Sequence, residues 1–507
     1  MDTETFLSTS YTRIRASASV PPGTSVPTLP HPSLLSAART SFPSILPTQG
    51  QGPTSTLTHL TRDIAPALAG HNLSGRYYGF VTGSTLPIAE AADNLVSAFD
   101  NSAQVHLPGQ SISTEVEDVA LRMLIEFLKL GKAEEWAGRT FTTGATASNV
   151  LGLACGREGV ITARLREIPG KEEDGGSVGE LGLIRACAEA GVKEIQVLTS
   201  MGHSSLYKAA SVVGLGRASV KDLPVSPLEP WRLDLDAVEE ELQREGVASI
   251  VVVSAGEVNT GRFATRGLED MERLRELADR YGAWIHVDGA FGIFARSLPE
   301  TEEFAQLRES AAGLELADSI TVDGHKLLNV PYDTGIFFTR HSSIPPAVFQ
   351  NPNAVYLSSS STSTIPSPLN IGLENSRRFR ALPVYAVLLS EGREGLATML
   401  ARMTQLAQGV ADALLSNLKE DYELLPETAS VPHTHIVVLF RARDPGLNAV
   451  LVQKIQDSGE WYVSGTKWKG EPACRIAVAS WRVNVQEDLA FVKERLTNIA
   501  KEWKESR

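Results

Sequence analysis

The chain has 507 residues, of which 42% are hydrophobic, and its 47 lysines and arginines are outnumbered by 60 aspartates and glutamates, giving a formal net charge of −13. The apolar fraction can fill large cores in about two to four domains, which excludes a wholly disordered chain. The acidic excess disfavours nucleic acids and anionic membranes, because both attract basic proteins. We therefore expect small molecules or other subunits as partners.

The chain shows none of the features of an exported or membrane protein. Cys155, Cys187 and Cys474 are too few and too scattered for a disulfide framework or a thiolate metal site. Acidic residues near Met1 stand where a signal peptide needs basic ones, and no later segment has the roughly 18 consecutive apolar residues of a membrane span. We expect a cytoplasmic protein with no metal.

The pattern of residue types divides the chain into three predicted units. Residues 1–75 form an N-terminal arm whose first part is rich in Ser, Thr and Pro, and we expect it to be extended or partly disordered. Residues 76–375 form a large domain, in which short β-branched runs alternate with helical patterns. Residues 376–507 form a small α+β domain that ends in a helix.

The large domain is predicted to contain a mostly parallel sheet. Its strand-like runs are EIQVLTS (194–200), SIVVVSAG (249–256), AWIHVDGA (283–290), SITVDGH (319–325) and TGIFFTR (334–340). The helix before AWIHVDGA has Leu268, Met271, Leu274 and Ala278 on one face. Apolar strands without a polar face indicate an α/β fold whose sheet is covered on both sides. Such sheets bind ligands at the carboxyl ends of their strands.

Two of these strands end in Asp-Gly, at Asp288 and at Asp323, and Lys326 follows the second, next to His325. Asp-Gly can simply form a turn, and Lys326 can reach solvent. Together, however, an amine and a buried carboxylate are what pyridoxal phosphate requires, one for its aldehyde and one to keep its ring nitrogen protonated.

Two further elements fit the same cofactor. TTGATASN (142–149) precedes a helical pattern, and small residues there free backbone amides for an anion such as a phosphate, although the run also suits ordinary capping. His203, in GHSS after the first strand, could stack on a flat ring, although a single histidine in a loop is more often a surface or capping residue.

These motifs resemble those of the group II pyridoxal-phosphate-dependent amino acid decarboxylases, which include the aromatic-L-amino-acid decarboxylases. The resemblance rests on TTGATASN, GHSS, HVDGAFG and DGHKLLNVPYDTG, with RYYGFVTGSTLP upstream and CRIAVASWR downstream, and covers about Arg76 to Leu496. It implies the type I aminotransferase-like fold, pyridoxal 5'-phosphate as cofactor, and a homodimer with shared active sites.

The resemblance also implies roles for individual residues. Lys326 is similar to the Schiff-base lysine, Asp288 to the partner of the ring nitrogen, and His203 to the stacking residue. The remaining implied positions are Ala290 under the ring, the amides of Ala145 and Thr146 and the side chain of His325 at the phosphate, Thr82 and Phe80 at the substrate, and Tyr356 as the loop tyrosine that protonates the substrate carbon.

The resemblance favours decarboxylation of an L-amino acid to its amine. Tyr356 supports this reaction, because relatives that form aldehydes tend to carry Phe there, although the ring could also merely anchor the loop. Where aromatic-amino-acid decarboxylases carry aromatic pocket residues, this chain has His71, Ala103 and Val105, and the Ala-Gly-Thr-Thr of many members is replaced in 254–261. An aromatic substrate is thus a first hypothesis, with a smaller or aliphatic amino acid as its rival.

Three other functions stay open on the sequence alone. An aldehyde-forming oxidative deaminase or a carbon–carbon lyase would use the same Lys326 and Asp288. A non-catalytic homologue acting as a scaffold or inhibitor is the third, and retention of the candidate catalytic residues Lys326, Asp288, His203 and Tyr356 argues against it.

Overall fold

The computed structural model of the chain describes residues 2–19, 27–170, 176–352 and 365–507. Its α-helices are α1 (Thr3–Ser17), α2 (Pro32–Ser41), α3 (Pro53–His59), α4 (Pro87–Phe99), α5 (Ser113–Phe127), α6 (Ala145–Arg166), α7 (Val178–Leu181), α8 (Leu183–Glu189), α9 (Ser204–Val212), α10 (Leu235–Leu242), α11 (Leu268–Tyr281), α12 (Ala305–Ser310), α13 (Gly324–Leu327), α14 (Ile344–Phe349), α15 (Ala381–Leu415), α16 (Pro445–Asp457) and α17 (Val485–Glu505). Its strands are β1 (Tyr77–Tyr78), β2 (Gly138–Thr142), β3 (Glu194–Thr199), β4 (Val220–Asp222), β5 (Pro224–Ser226), β6 (Glu229–Leu233), β7 (Val247–Ser254), β8 (Trp284–Asp288), β9 (Ser319–Asp323), β10 (Gly335–Thr339), β11 (Tyr422–Leu425), β12 (Val437–Ala442), β13 (Tyr462–Trp468) and β14 (Glu471–Ala477).

The large sheet has the strand order β2-β10-β9-β8-β7-β3-β4, and all five predicted strands lie in it. Neighbouring strands from β4 to β9 run parallel, whereas β10 is antiparallel to both β9 and β2. Every residue of β7, β8, β9 and β10 is buried. The prediction of a mostly parallel sheet is confirmed.

Both faces of this sheet are covered, as the apolar strands predicted. Val251, Val253 and Ile285 belong to one buried apolar cluster, whereas the alternate residues Ile250 and Val252 belong to another. Side chains of a strand point alternately to opposite faces, so each face has its own core. The long helix α6 packs across β7 to β10 on the second face.

The predicted amphipathic helices form, with differences at their edges. In α11, Met271, Leu274 and Ala278 are buried as predicted, but Leu268 at its first turn is largely exposed and Asp270 is buried. Asp270 is buried because Arg266 donates to its carboxylate from both its backbone and its side chain. The final helix α17 packs the predicted stripe of Leu489, Val492, Leu496, Ile499 and Trp503 against the main core.

The N-terminal arm differs from the expectation of an extended or partly disordered lead-in. Its described residues form the helices α1, α2 and α3. The side chain of Asp2 accepts a hydrogen bond from the backbone of Thr5 and so caps α1, and Pro32 and Pro53 are the first residues of α2 and α3. Proline suits this position because its fixed φ is already helical and it has no N–H to leave unpaired.

The C-terminal residues form a second sheet in the order β1-β13-β14-β12-β11. Its first strand, β1, comes from the start of the predicted large domain and pairs parallel to β13, where the rings of Tyr77 and Tyr462 stack at 4.5 Å between centroids. The two predicted units are thus joined by a strand that crosses between them. Among the described residues, no helix is both long and apolar enough to cross a membrane.

Asp318, just before β9, ties three elements of the large domain together. Its Oδ2 accepts hydrogen bonds from the backbone of Ile285 on β8 at 2.8 Å and from Arg275 on α11 at 2.9 Å, and its Oδ1 accepts one from His341 at 2.9 Å. Burial raises the pKa of this carboxyl, but these donors outweigh burial and lower the pKa below its ordinary value of 3.8.

We predict that Asp318→Ala lowers the free energy of unfolding by about 3 kcal/mol at pH 7, because it leaves Arg275 and the Ile285 amide without their shared acceptor. The pKa of Asp318 is lower in the folded than in the unfolded protein. Its ionised carboxylate therefore stabilises the fold at pH values above the unfolded-state pKa, and this stabilisation is lost as the pH falls through the folded-state pKa. The difference from the unaltered protein, measured by urea unfolding, should therefore shrink below about pH 4.

The control is Asp279→Ala, which removes the other carboxylate of Arg275, one that is largely exposed. Exposed ion pairs contribute about 1 kcal/mol or less. Equal losses of stability in the two variants would contradict the role given to Asp318.

Candidate active site

Eight of the ten predicted site residues meet at the carboxyl edge of the large sheet, around a cavity of about 320 Å³. Parallel neighbours β8 and β9 end there together, which brings Asp288 and the residues after Asp323 to one place. The described residues that line the cavity are Phe80, Val81, Thr143, Gly144, Ala145, Thr146, Ala147, His203, Ser205, Ser254, Gly256, Val258, Asp288, Ala290, Phe291, Asp323, His325, Lys326 and Tyr332.

Asp288, at the end of β8, is held by a side chain that the sequence analysis did not single out. Asn149, fully buried on α6, donates from Nδ2 to Oδ2 of Asp288 at 2.9 Å and to Oγ of Ser205 at 3.2 Å. Among the described residues, the donor to the second oxygen of Asp288 is the backbone of Ala290, at the longer distance of 3.3 Å. One carboxylate oxygen is thus fixed, while the carboxylate as a whole faces the cavity.

Asn149 is in turn oriented by a row of buried groups behind it. Because Nδ2 of Asn149 donates to Asp288, its Oδ1 must accept, and the partner is Nε2 of His286 at 3.0 Å. Nδ1 of His286 then accepts from Oγ of Ser319 at 2.8 Å, and that Oγ accepts from the indole of Trp284 at 2.9 Å. Each donor meets an acceptor, so the row has a single direction.

The row requires a neutral His286. Burial lowers the pKa of His286, and the negative charge of Asp288 opposes this shift without reversing it. Room for the ring comes from Gly152 on α6, where a Cβ would lie 2.3 Å from Cε1 of His286. A side chain there would displace the imidazole, and with it the support of Asn149.

His203 both caps a helix and faces the cavity. Its Nδ1 accepts from the backbone of Ser205 at 3.2 Å, which caps α9, and lies 2.7 Å from the hydroxyl of the same residue. Burial lowers the pKa of His203, so the ring is neutral at pH 7. His203 is therefore both a capping residue and a residue of the cavity lining.

Lys326 reaches the cavity from α13 and pairs with a carboxylate on the same turn. Its Nζ lies 2.9 Å from Oδ2 of Asp323 and 5.6 Å from the centre of the Phe291 ring. The other oxygen of Asp323 accepts from the backbone of Ala145 at 2.6 Å. Asp323 therefore joins the lysine to the first turn of α6, and the Ala145 amide, a predicted phosphate contact, is engaged by a carboxylate.

The first turn of α6 forms one end of the cavity. The N-cap residue of this 22-residue helix, Gly144, has no side chain, and Ala145, Thr146 and Ala147 all line the cavity. A Cβ on Gly144, whose φ is 150°, would lie 3.2 Å from the ring of His325 and 3.4 Å from Asp323. The glycine thus keeps the approach to these amides open, where the helix dipole favours an anion.

His325 presents an N–H toward the same end. The backbone of Thr334 donates to its Nδ1 at 3.2 Å, and burial lowers the pKa of the ring, so the remaining proton is on Nε2. Tyr332 lies over the imidazole with 4.4 Å between ring centres. Tyr332 is another lining residue that the sequence analysis did not select.

The predicted substrate residues are placed differently from each other. Phe80 lines the cavity and is 63% exposed, with φ of 57°. Thr82 is not among the lining residues, and its side chain bonds to Tyr332 instead. His71, Ala103 and Val105 do not line the cavity either. Tyr356 lies outside the described residues, so its role stays a prediction.

Asn149, Asp323 and Tyr332 are the functional candidates that sequence reasoning missed. Each lay inside a motif that was recognised, since Asn149 closes TTGATASN and the other two flank His325 and Lys326. Asn149 stands among small and apolar residues on a helix that faces the sheet, so its burial could have been predicted. A buried amide needs hydrogen-bond partners, and this was the available signal for a functional role. Pairing it with Asp288 required the structure.

The arrangement fits pyridoxal phosphate. The first-turn amides of α6 that line the cavity and the N–H of His325 suit a phosphate, Lys326 suits an aldehyde, and the buried carboxylate of Asp288 suits a protonated ring nitrogen. Residues 77–442 match the family model described as the pyridoxal-dependent decarboxylase conserved domain. The chain belongs to this family.

Known members of the family differ in substrate. The chain is 31% identical to the L-2,4-diaminobutyrate decarboxylase of Acinetobacter baumannii over 360 residues, 68% of this chain and 64% of that protein, so it spans slightly less than two thirds of this relative. It is 23% identical to Tryptophan decarboxylase 1 of Oryza sativa subsp. japonica over 438 residues, 84% of this chain and 80% of that protein.

The fold is shared with solved decarboxylase structures. Oryza sativa TDC with PLP and tryptamine has a TM-score of 0.80 at 20% identity, with 99% of this chain and 98% of that chain covered. The comparisons confirm the predicted family, fold, cofactor and class of enzyme, a pyridoxal-dependent amino acid decarboxylase. The predicted roles of the individual site residues remain predictions.

We predict that Asn149→Leu weakens cofactor binding and lowers turnover about 10- to 100-fold. The leucine keeps the approximate volume but removes the hydrogen bonds to Asp288 and His286, and bonds to a charged group contribute about 1.5–3 kcal/mol. Cofactor affinity would be measured by titration of the apoprotein with pyridoxal phosphate.

Gln196→Met is the matched control, because it also removes a fully buried amide away from the cavity. That amide donates to Ser249 and the backbone of Glu241 and accepts from Lys221 and Arg244. It should lower thermal stability while leaving cofactor affinity unchanged. If both variants bind the cofactor equally well, Asn149 has only a structural role.

Proposed function

We propose that this chain decarboxylates an L-amino acid with an aromatic side chain, using pyridoxal phosphate, and releases the amine and carbon dioxide. The observation that carries the proposal is the meeting of Lys326, Asp288 and His203 in one cavity whose outer wall is aromatic. Bound pyridoxal phosphate supplies an electron-poor ring that accepts the electron pair left when carbon dioxide departs.

The residues of the chain are proposed to prepare this chemistry by position and charge. Lys326 provides the amine that holds the cofactor aldehyde, and Asp288 holds a proton on the ring nitrogen by its negative charge. His203 offers a flat neutral face, since burial lowers its pKa. Ala290 would lie under the ring, and the amides of Ala145 and Thr146, together with the N–H of His325, would bind the phosphate.

The lining of the cavity supports an aromatic substrate over a diamino acid. A second ammonium, as in diaminobutyrate, would need a free carboxylate, and the acidic residues among the described lining are Asp288, bonded to Asn149, and Asp323, paired with Lys326. Phe80, Phe291 and Tyr332 instead offer flat apolar surface. These residues supply the aromatic groups that His71, Ala103 and Val105 do not.

We also infer a homodimer with active sites shared between its subunits and a cytoplasmic location. The dimer follows from the resemblance to the group II enzymes, and the location follows from the low cysteine content. No nucleic acid or membrane is required by the proposed reaction.

The proposal predicts carbon dioxide and amine in equal amounts, without oxygen consumption, from tryptophan, tyrosine or phenylalanine in a panel of L-amino acids. Borohydride reduction followed by peptide mapping should find the cofactor attached to Lys326. Lys326→Ala should form no product, and Asp288→Asn should lose several powers of ten in turnover.

Other outcomes of this panel separate the alternatives. Turnover of diaminobutyrate or an aliphatic amino acid alone would replace the aromatic substrate, whereas aldehyde with oxygen uptake would indicate an oxidative deaminase. Cleavage of a side chain without loss of carbon dioxide would indicate a carbon–carbon lyase. Failure to bind the cofactor at all would leave a scaffold or inhibitor as the function.

We further predict that Tyr356→Phe diverts the reaction, because Tyr356 is proposed to return a proton to the substrate carbon after carbon dioxide leaves. Without that proton donor, the electron-rich carbon should react with oxygen, so aldehyde, ammonia and hydrogen peroxide should rise while amine falls. Quantification of all four products checks this. Unchanged amine output would mean that Tyr356 only anchors its loop.

A further inference from the structure

A second cavity, of about 420 Å³, lies away from the catalytic residues, and we name it the arginine cleft after Arg232, Arg262 and Arg266, which line it with Thr265 and His433. It is formed where β6 runs beside the segment that follows β7. The backbone of Leu233 donates to the carbonyl of Ala264 at 2.9 Å, which places Arg232 next to the residues on either side of Ala264.

The central feature of the arginine cleft is a buried guanidinium without a partner. Arg262 is 8% exposed, and among the described residues no hydrogen bond or ion pair is made by its side chain. Burial lowers the pKa of Arg262 to about 10, and only the charge of Glu229 opposes this. The group is still charged at pH 7, and a buried charge normally has a counter-ion.

Two more donors of the arginine cleft are unsatisfied. The hydroxyl of Thr265, a residue only 3% exposed, and Nε of Arg232 are buried without a hydrogen-bond partner in the described part of the chain. Arg232 lies 3.7 Å from Glu229 and 3.9 Å from Asp270, which are distances of ion pairs rather than hydrogen bonds. Three neighbouring groups therefore have donor capacity that no protein acceptor uses.

The acidic groups near the arginine cleft do not neutralise it. Asp270 is engaged by Arg266, which donates to it at 2.9 Å. Glu309 is an exposed residue of the lining, and Glu229 makes only the long contact with Arg232. His433 carries no charge at pH 7, because burial and then the charge of Arg262 lower its pKa. Among the described residues of the cleft, the positive charge that lacks an ion pair is thus that of Arg262, whereas Arg232 has only the long contacts with Glu229 and Asp270.

We propose that the arginine cleft binds a small oxyanion, a molecule that carries a phosphate or carboxylate group, through Arg262, Arg232 and Thr265. A guanidinium and a hydroxyl suit such oxygens because charge-assisted hydrogen bonds are short and strong. The site is separate from the predicted cofactor phosphate contacts, and it does not depend on the reaction that the chain catalyses.

The test uses the protein loaded with pyridoxal phosphate and freed of excess cofactor, so that the cofactor site does not compete. Binding of inorganic phosphate, a phosphate monoester, succinate and an uncharged polyol would be measured by calorimetry. We expect saturable binding of at least one anion and none of the polyol. Preference for the phosphates or for succinate identifies the oxyanion.

Arg262→Gln should weaken the binding of that anion about tenfold or more, since it removes the charge but keeps a polar side chain. Thr265→Val, which keeps the shape of the side chain, should weaken anion binding about threefold. This variant tests the proposal even if Arg262→Gln does not fold. Arg166→Gln removes the same charge from an exposed residue at the end of α6 and should leave affinity unchanged.

Two results would overturn the proposal. One is equal affinity in the unaltered protein and in both cleft variants, which would indicate an adventitious ion only. The other is no anion binding by the unaltered protein, whether or not Arg262→Gln changes the oligomeric state. Dissociation of that variant into smaller species would then assign these arginines to a contact between subunits.

Discussion

The burial of a carboxylate, Asp288, is the constraint on which the rest of this site depends. Asp288 is 9% exposed at the end of a strand whose residues are all buried. Its carboxylate oxygens accept hydrogen bonds from Asn149 and from the backbone of Ala290. These hydrogen bonds hold one orientation of the carboxylate at the edge of the cavity, as the role proposed for Asp288 requires.

This constraint explains why so much of α6 and β8 is polar inside an otherwise apolar core. Asn149, His286 and Ser319 are buried side chains whose donors and acceptors all find partners within the row. A row of this kind stabilises one orientation of each member, whereas a partly satisfied one would destabilise the core. Gly152 belongs to the same arrangement, because only a residue without a side chain leaves space for the imidazole.

Much of the large domain was predictable because the residue pattern of each strand agrees with the place of that strand in the sheet. The runs around Asp288 and Asp323 are apolar on both faces, and such runs are typical of parallel strands, whose carboxyl ends must lie at one edge. The meeting of Asp288, His203 and Lys326 follows from that geometry alone. The helices of the N-terminal arm were missed because Ser, Thr and Pro are common both in disordered segments and in first helical turns, and composition does not separate the two.

Pairings across the fold were not predictable, since they depend on which helix covers which strand. Nothing in the sequence links Asn149 to Asp288, which are 139 positions apart, or Ala145 to Asp323 at 178 positions. Unpaired groups are harder still. That Arg262 has no acceptor emerges only when every neighbour has been placed, because most arginines of a folded protein find a carboxylate or a carbonyl.

The segment 254–261 lacks the Ala-Gly-Thr-Thr of many family members, and the glutamate that it contains has a structural role. Glu257 does not line the cavity but turns inward, where its carboxylate accepts from the backbone of Asn259 at 2.9 Å and from the backbone and hydroxyl of Thr260 at 2.8 Å. Burial raises its pKa against these bonds. The glutamate therefore stabilises a turn rather than serving as a contact at the site.

That turn connects the two cavities of the molecule. Gly256 and Val258 on one side of it line the active site, and Arg262 on the other lines the arginine cleft. The backbone of Glu257 donates to the carbonyl of Arg262 at 2.7 Å, and Arg475 donates to the carbonyl of Val258 at 2.7 Å. With its ends and its tip bonded in this way, the turn is a unit, so a displacement of Arg262 is opposed by the same bonds that fix Val258 beside the cavity around Asp288 and Lys326.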